Sequence, residues 1–132
     1  EKKRRRWEWI IQEAAEQCRR GRKPTLRSAL LFAQACEEAR QAGGVSLILW
    51  EEEQQLSMRD LLRQAPPGRE EARPPFTLNL FIGPEGGFTH EEIDVAQRYK
   101  LVPVTVGART LRAETAAIAA SAAILYELGD MA

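Results

Sequence analysis

The sequence predicts an α/β domain with a mainly parallel sheet and helices on both faces. Residues 45–50 form a short continuous apolar run, which suits a strand that is covered on both faces, and residues 76–82 and 101–106 are predicted to form two further strands. Segments in which apolar residues recur at helical spacing separate these strands. Strands that alternate with helices typically build a parallel sheet. At 132 residues the chain is about one domain, which is long enough to bury a core.

Two helices are predicted before the first strand. The first covers residues 4–20, and its apolar side chains recur at helical spacing. Those side chains are Trp7, Ile10, Ile11, Ala14 and Cys18. The glycine and proline of "RRGRKP" end this helix, because glycine caps helices and proline cannot continue them. The second helix covers residues 28–42, with Ala29, Phe32, Ala33 and Cys36 on one side and two glycines after it.

Three further helices connect or follow the strands. Residues 57–65 form a short helix with Ser57 as its N-cap. Thr89 and Glu92 form a capping box that begins a helix ending near Tyr99. A final helix, rich in alanine, covers about residues 114–128, and its small side chains permit close approach to neighbouring elements.

The remaining segments are predicted to be irregular. Residues 66–75, "PPGREEARPP", cannot pack and form an exposed loop. Residues 107–114 form a loop between the third strand and the last helix. Pro103 lies within the third strand, which indicates either an edge position or an irregularity in the strand, because proline cannot donate to a central ladder.

Composition excludes membrane and secreted classes. No apolar run approaches the roughly 20 residues that span a bilayer, and the first residues are not a charged-then-apolar leader. We therefore expect a cytoplasmic protein with no membrane partner. The chain opens on "EKKRRR" without a methionine, so we expect it to be a fragment of a longer protein.

Metal and thiol chemistry are also not expected. His90 is the only histidine, and Cys18 and Cys36 lack the spacing of metal ligands. Two cysteines in helical segments of a chain this long predict buried thiols rather than a disulfide framework.

The charges are unevenly distributed, although the net charge is zero. Residues 1–27 hold 10 Lys/Arg and 4 Asp/Glu, a balance of +6, and residues 28–132 hold 9 and 15, a balance of −6. A basic segment of this kind is typical of a nucleic-acid-binding face. A solvated helix flank explains the same pattern equally well, so charge alone leaves both interpretations open.

Three segments follow the predicted strands directly. They are Trp50, the loop 83–87 and the loop 107–112. Ligands of parallel α/β sheets bind at the carboxyl ends of the strands. The sequence therefore predicts a ligand site where these three segments meet.

The loop "GPEGG" at 83–87 is not a recognised phosphate cradle. No Lys-Ser/Thr pair follows it, and its glycine spacing differs from GxGxxG. Glu85 would repel a phosphate. A plain turn and a loop whose backbone groups bind a neutral or cationic ligand both remain as interpretations. A contact with a ligand and a bracing role for Glu85 are equally open.

Three motifs resemble one known family. "IGPEGGFTHEEID", then "VTVGARTLRAETAA", and upstream "EAAEQCRRGRKPTL" resemble the RsmE-type small-subunit ribosomal RNA (uracil-N3) methyltransferases of the SPOUT superfamily. The resemblance implies a trefoil knot at the C-terminal end, through which the last helix threads. It also implies S-adenosylmethionine as cofactor, a homodimer with the active site near the subunit interface, and small-subunit ribosomal RNA or the assembled small subunit as partner.

The resemblance also implies roles for individual residues. The implied cofactor-binding residues are Leu49, Ile82, Gly83, Gly86, Gly87, Val106, Gly107, Leu111, Arg112 and Thr115. Arg112 and Glu114 are the implied catalytic pair, and Gln17, Arg20 and Arg22 would face RNA. Two positions depart from the family pattern, with Ala108 in place of proline and Arg19 in place of glycine.

The resemblance leaves two questions open. The family's N-terminal RNA-binding barrel and first strands have no counterpart before Glu1, so residues 1–132 would be a partial methyltransferase domain. Glu114 is either the base that removes the uracil N3 proton or a residue that caps the last helix and orients Arg112, and the second role is preferred. A non-catalytic dimeric RNA-binding module and a nucleotide-binding α/β domain are the competing functions.

Overall fold

The computed structural model describes residues 2–17, 23–53, 55–64, 77–106 and 112–127. In chain order these residues form α1 Lys2–Gln17, α2 Phe32–Ala42, β1 Val45–Leu49, α3 Met58–Gln64, β2 Leu78–Phe81, α4 His90–Arg98, β3 Val102–Val104 and α5 Ala113–Glu127. The chain divides into two compact units, Glu1–Leu30 and Leu31–Ala132. The first unit contains α1, and the second contains the sheet.

The three strands form one parallel sheet in the order β2-β1-β3. β1 is central, with Val45 opposite Leu78 on one side and Leu47 opposite Val102 on the other. The predicted parallel α/β sheet is confirmed. β3 lies at an edge of the described sheet, as Pro103 indicated.

Helices cover both faces of the sheet. Successive residues of β1 point to opposite faces, and Leu47 and Ile48 are both fully buried. Leu47 packs with side chains of α3 and α5, namely Met58, Leu62, Ala120 and Ile124. Ile48 packs with side chains of α2 and α4, namely Cys36, Ile93 and Ala96. The prediction of helices on both faces is therefore confirmed.

Two predicted helix starts are confirmed by their caps. The Asp60 N–H donates to Ser57 Oγ at 3.0 Å, at the start of α3. At α4 the Glu92 N–H donates to Thr89 Oγ1 at 3.1 Å, and the Thr89 N–H donates back to Glu92 Oε1 at 2.9 Å. These bonds satisfy backbone donors that the first helical turn leaves unpaired.

The predicted start of α2 is wrong. The helix begins at Phe32 rather than at residue 28, and Ala29 lies outside it. Leu31 has extended backbone angles, φ −66° and ψ 150°, and its N–H donates to Gln34 Oε1 at 3.1 Å. Gln34 therefore supplies the cap, and the helix begins only after Leu31.

The helix predicted at residues 4–20 is α1, which is described to Gln17. Its buried residue is Ala15 rather than Ala14, and Trp7 and Ile10 are exposed. Arg4 connects α1 to the following segment of the same unit, because its guanidinium donates to Ser28 Oγ at 3.2 Å and to the Leu26 carbonyl at 3.4 Å. Cys18 and the predicted loop 66–75 lie outside the described residues.

Cys36 is a buried free thiol, as predicted. Burial raises its pKa above the ordinary value of 9.0, because the thiolate would lose its hydration. Across the described ranges, no three His, Cys, Asp or Glu side chains form a group that could hold a metal ion. None of the described helices combines the length and apolar character of a membrane span.

Candidate functional site

The carboxyl ends of the three strands meet at one edge of the sheet, which we name the carboxyl rim. Leu49 is opposite Val104, and the Trp50 N–H donates to the Val104 carbonyl at 3.1 Å. On the other side Ile48 is opposite Phe81, so Ile82 follows β2 beside Leu49. The rim comprises Leu49–Trp50, Ile82–Gly83 and Thr105–Val106. The structure thus places Trp50 and the start of the loop 83–87, which the sequence singled out, at one edge of the sheet. Residues 107–111 lie outside the described residues.

A tight turn follows β2 at the rim. The Gly87 N–H donates to the Pro84 carbonyl at 2.8 Å, and Gly87 has φ +75°, a conformation that glycine adopts without strain. A Cβ added at Gly83 would lie 3.2 Å from two ring carbons of Phe88. Phe88 packs in turn against Phe32, with ring centroids 5.6 Å apart. The structure therefore explains two of the three glycines: Gly83 leaves room for the Phe88 ring, and Gly87 adopts the positive φ of the turn.

Gly86 has no such structural reason. It does not adopt a positive φ, and a Cβ added there would have no heavy atom within 4 Å. Glycine at an unstrained, open position leaves the backbone accessible to a close neighbour. Gly86 is therefore the glycine of this loop that neither packing nor a positive φ requires.

The rim carries an unpaired buried donor. The Trp50 indole Nε1 is buried and has no hydrogen-bond acceptor within the described part of the chain. Leaving such a group unpaired costs about 1–3 kcal/mol. Trp50 directly follows β1 at the rim, and its side chain packs against the cluster that contains Ile48.

His90 and Glu52 lie beside Trp50. His90 Nε2 is 3.0 Å from Glu52 Oε2, and the His90 ring meets the Trp50 ring edge to face at 5.1 Å between centroids. This contact joins the segment after β1 to the start of α4, across the turn at 84–87. The sequence identified His90 only as a lone histidine and did not predict this contact.

The charge of the rim disfavours an anionic ligand. Glu51 and Glu52 follow β1, and Glu85 lies in the turn after β2, and all three are exposed. The Glu53 carboxylate instead accepts hydrogen bonds from the backbone N–H groups of Gln55 and Leu56. Carboxylates at this edge repel phosphate and attract a positive charge. The rim is therefore suited to a neutral or cationic ligand.

The predicted catalytic residues lie at the start of α5. Arg112 precedes the helix, and its carbonyl accepts the Ala116 N–H at 2.8 Å. Glu114 lies in the first turn, where a carboxylate is stabilised by the helix dipole. Arg112, Glu114 and Thr115 are all exposed. Gly107 and Leu111 lie outside the described residues. Five residues lie between Val106 and Arg112, so these two residues are at most about 22 Å apart.

The predicted RNA-facing residues belong to the first unit. Gln17 is the last residue of α1 and is exposed, and Arg20 and Arg22 lie outside the described residues. They stay predictions, because no contact of theirs is described.

Residues 1–125 match a family described as RNA methyltransferase domain. Ribosomal RNA small subunit methyltransferase E of Buchnera aphidicola is 28% identical over 130 residues, which cover 98% of this chain and 48% of that protein. The protein of the same name from Synechocystis is 34% identical over 119 residues, which cover 90% of this chain and 37% of that protein.

A solved structure has the same fold. Ribosomal RNA small subunit methyltransferase E from Neisseria gonorrhoeae, bound to S-adenosyl methionine, matches with a TM-score of 0.79 and 28% identity. The match covers 95% of this chain and 48% of that one. The chain therefore spans less than half the length of these relatives, at a coverage that fits a catalytic domain.

Proposed function

The chain belongs to the RNA methyltransferase domain family, and we propose that it is the catalytic domain of an S-adenosylmethionine-dependent small-subunit ribosomal RNA methyltransferase. One observation carries the proposal: a glycine turn with an accessible backbone lies beside an unpaired buried N–H at the carboxyl rim. The fold of this chain matches a methyltransferase solved with that cofactor. Parallel α/β sheets bind their ligands at this edge.

The residues at the rim fit the cofactor. Backbone groups of Leu49, Ile82 and Gly86 offer donors and acceptors to its polar atoms, and the Trp50 N–H offers a further donor. Gly83, Gly87 and Val106 shape the same edge. Gly107, Leu111, Arg112 and Thr115 complete the proposed set. The acidic rim complements a cation, and the sulfonium of S-adenosylmethionine is positively charged.

We assign the proposed reaction to N3 of uridine. The bound cofactor supplies an activated methyl group, and positioning provides much of the rate of such a displacement. Uracil N3 carries a proton at neutral pH, and this proton passes to solvent water as N3 is methylated. The protein must therefore stabilise the anion that forms when the proton leaves. The Arg112 guanidinium is the cation proposed for this role. Glu114 is proposed to stabilise the start of α5 and to orient Arg112.

Calorimetry with S-adenosylmethionine and S-adenosylhomocysteine tests the proposal on the full-length protein. We expect heat of binding from both ligands, and transfer of a labelled methyl group to small-subunit ribosomal RNA or to the assembled small subunit. Nuclease digestion of the product then identifies the methylated atom. Absence of heat from both ligands would overturn the methyltransferase assignment and leave a non-catalytic RNA-binding module.

The matched variants Gly86→Val and Gly87→Ala separate cofactor contact from turn stability. A Cβ added at Gly86 has no heavy atom within 4 Å, and the residue does not adopt a positive φ. We therefore expect the free energy of unfolding of Gly86→Val to change by less than about 1 kcal/mol. The affinity for S-adenosylmethionine should fall roughly tenfold or more, because the added atoms occupy the ligand's position. Gly87→Ala should instead lower stability, by about 1 kcal/mol, because φ is +75°. Unchanged affinity in Gly86→Val would contradict a backbone contact there.

We further propose that α5 forms the centre of a homodimer. Ala120 and Ile124 face the sheet, whereas Ile118 on the opposite side is 72% exposed and Tyr126 is 65% exposed. A helix that is apolar on all sides is normally buried on all sides. A second copy of this chain would cover the exposed side.

The knot implied by the resemblance is part of the proposal, and the alanines of α5 support it because they permit close threading. A cytoplasmic location is proposed with it.

The dimer predicts the behaviour of Ile118→Arg. We expect this variant to shift the protein from dimer to monomer in sedimentation equilibrium, because a charge would be buried at the interface. Gln97→Arg on α4 is the matched control, since Gln97 is also exposed on a helix of the same unit. A dimer of unchanged strength in Ile118→Arg would exclude this face of α5 as the interface.

A further inference from the structure

We propose that α1 carries a stacking site for single-stranded RNA, formed by Lys2, Arg5, Arg6 and Trp9. This inference rests on the proposed function, because it assigns the RNA partner of that function to a particular surface. We name these four residues the Trp9 face. It lies within the first unit, Glu1–Leu30.

The Trp9 face is one side of α1. Residues 2, 5, 6 and 9 are three or four positions apart, so their side chains share that side. All four side chains are exposed. Side chains in a helix lean toward its N-terminus, so the Trp9 ring lies over the turn that carries Arg5 and Arg6. An aromatic plane and three cations therefore occupy one small surface.

Trp9 is the most exposed of the three tryptophans. It is 63% exposed, compared with 46% for Trp7, and Trp50 is half-buried. The ring of Trp7 already has Lys3 Nζ at 5.5 Å from its centroid. Tryptophan is highly buried on average, so a ring this exposed indicates a surface that contacts a partner.

The opposite side of α1 has a structural role. Ala15 is buried and Ile11 is half-buried there, and Arg4 binds Glu8 at 3.5 Å in addition to Ser28 and Leu26. The Arg4 side chain therefore binds groups of the first unit itself. Its neighbours Arg5 and Arg6 are directed away from that side. The buried and half-buried residues of α1 therefore lie on one side, and the Trp9 face lies on the other.

RNA fits this surface better than a protein partner does. A protein that covered Trp9 would also desolvate Lys2, Arg5 and Arg6, which is costly without matching carboxylates. An RNA strand supplies phosphates for the cations and a base plane for the ring in one ligand. The bases must be unpaired to stack on a side chain, so the expected ligand is a single-stranded segment.

Fluorescence anisotropy tests the site with the full-length protein and a labelled, unstructured RNA of about 10 nucleotides. We expect Trp9→Ala to weaken binding by roughly 5- to 150-fold, the range for loss of one stacked base. Trp9→Phe should retain most of the affinity, because phenylalanine keeps an aromatic plane. Retained binding in Trp9→Phe also separates stacking from misfolding, which circular dichroism of each variant checks.

A pair of charge variants tests the cations. The double variant Arg5→Gln/Arg6→Gln should reduce the slope of log affinity against log salt by about 1.4, the value for two phosphate contacts on a single strand. Arg40→Gln/Arg98→Gln removes the same charge from exposed positions on α2 and α4, and it should leave the slope unchanged. An equal change of the salt slope in the two double variants would show only general electrostatic attraction and would overturn the proposed site.

Other outcomes also overturn the proposal. Equal RNA affinity in Trp9→Ala and the unaltered protein excludes stacking. Self-association that Trp9→Ala abolishes would make this face a protein interface. Binding of S-adenosylmethionine, measured in parallel by calorimetry, keeps the two proposals distinguishable. A protein that binds the cofactor but not the RNA retains the proposed function and loses the Trp9 face.

Discussion

Substitution of Arg112 by alanine should lower the rate of methyl transfer to ribosomal RNA by about 100- to 1,000-fold. That range is the usual loss when one group that stabilises developing negative charge is removed. The uracil ring becomes anionic as its N3 proton leaves, and the Arg112 guanidinium is the proposed counter-charge. Single-turnover measurements with saturating cofactor and RNA report this step directly.

The fold should tolerate the Arg112→Ala change. The contact of Arg112 with α5 uses its carbonyl, which accepts the Ala116 N–H, and its side chain is exposed. Arg98→Ala is the matched control, because Arg98 is an exposed arginine in the last turn of α4. Turnover that remains normal in Arg112→Ala would remove this residue from the proposed mechanism. Equal losses in both variants would indicate a non-specific effect of charge.

The position of Glu114 favours an electrostatic and structural role over that of a base. It lies in the first turn of α5, where a carboxylate complements the exposed N–H groups of the helix. Its side chain is exposed, whereas carboxylates that act as bases near neutral pH are usually buried. This position supports the proposal that Glu114 stabilises the first turn and orients the adjacent Arg112.

Local sequence signals predicted most of the fold. The capping box of Thr89 and Glu92 and the N-cap Ser57 located two helix starts, because both bonds join residues three positions apart. The predicted start of α2 was wrong. Leu31 is extended and its N–H donates to Gln34 Oε1, so the helix begins only at Phe32. Apolar periodicity, which placed the start near residue 28, does not report this capping bond.

The candidate site was predictable in outline but not in detail. The rule for parallel sheets located the rim at Trp50 and at the loops after the second and third strands, and the structure places Trp50 and Gly83 at one edge. Residues 107–111 lie outside the described residues. The contact of Trp50 with His90 depends on the strand order β2-β1-β3, which sets the segments after β1 and β2 side by side. That order is a tertiary property, so neither residue alone indicated the contact.

Gly44 lies at the end of the sheet opposite the carboxyl rim, and we expect Gly44→Ala to lose much of its stability. A Cβ added at Gly44 would overlap the carbonyl oxygen of Thr77 and lie 2.7 Å from its carbonyl carbon. That oxygen accepts the Val45 N–H at 3.0 Å, where β1 and β2 begin to pair. Gly44 also has φ +74°. Backbone strain and overlap together should lower the free energy of unfolding by about 2–6 kcal/mol. Urea denaturation measures this change.

Gly43→Ala is the control that isolates the overlap from the strain. Gly43 has φ +78°, close to that of Gly44, but a Cβ added there meets no heavy atom within 4 Å. Gly43→Ala should therefore cost only the strain, about 1–3 kcal/mol. Equal losses in both variants would contradict the packing of Gly44 against Thr77. Gly44 lies at the amino end of β1 and the rim at its carboxyl end. The fraction of Gly44→Ala that remains folded should therefore keep its cofactor affinity, because the defect changes stability without changing the residues at the rim.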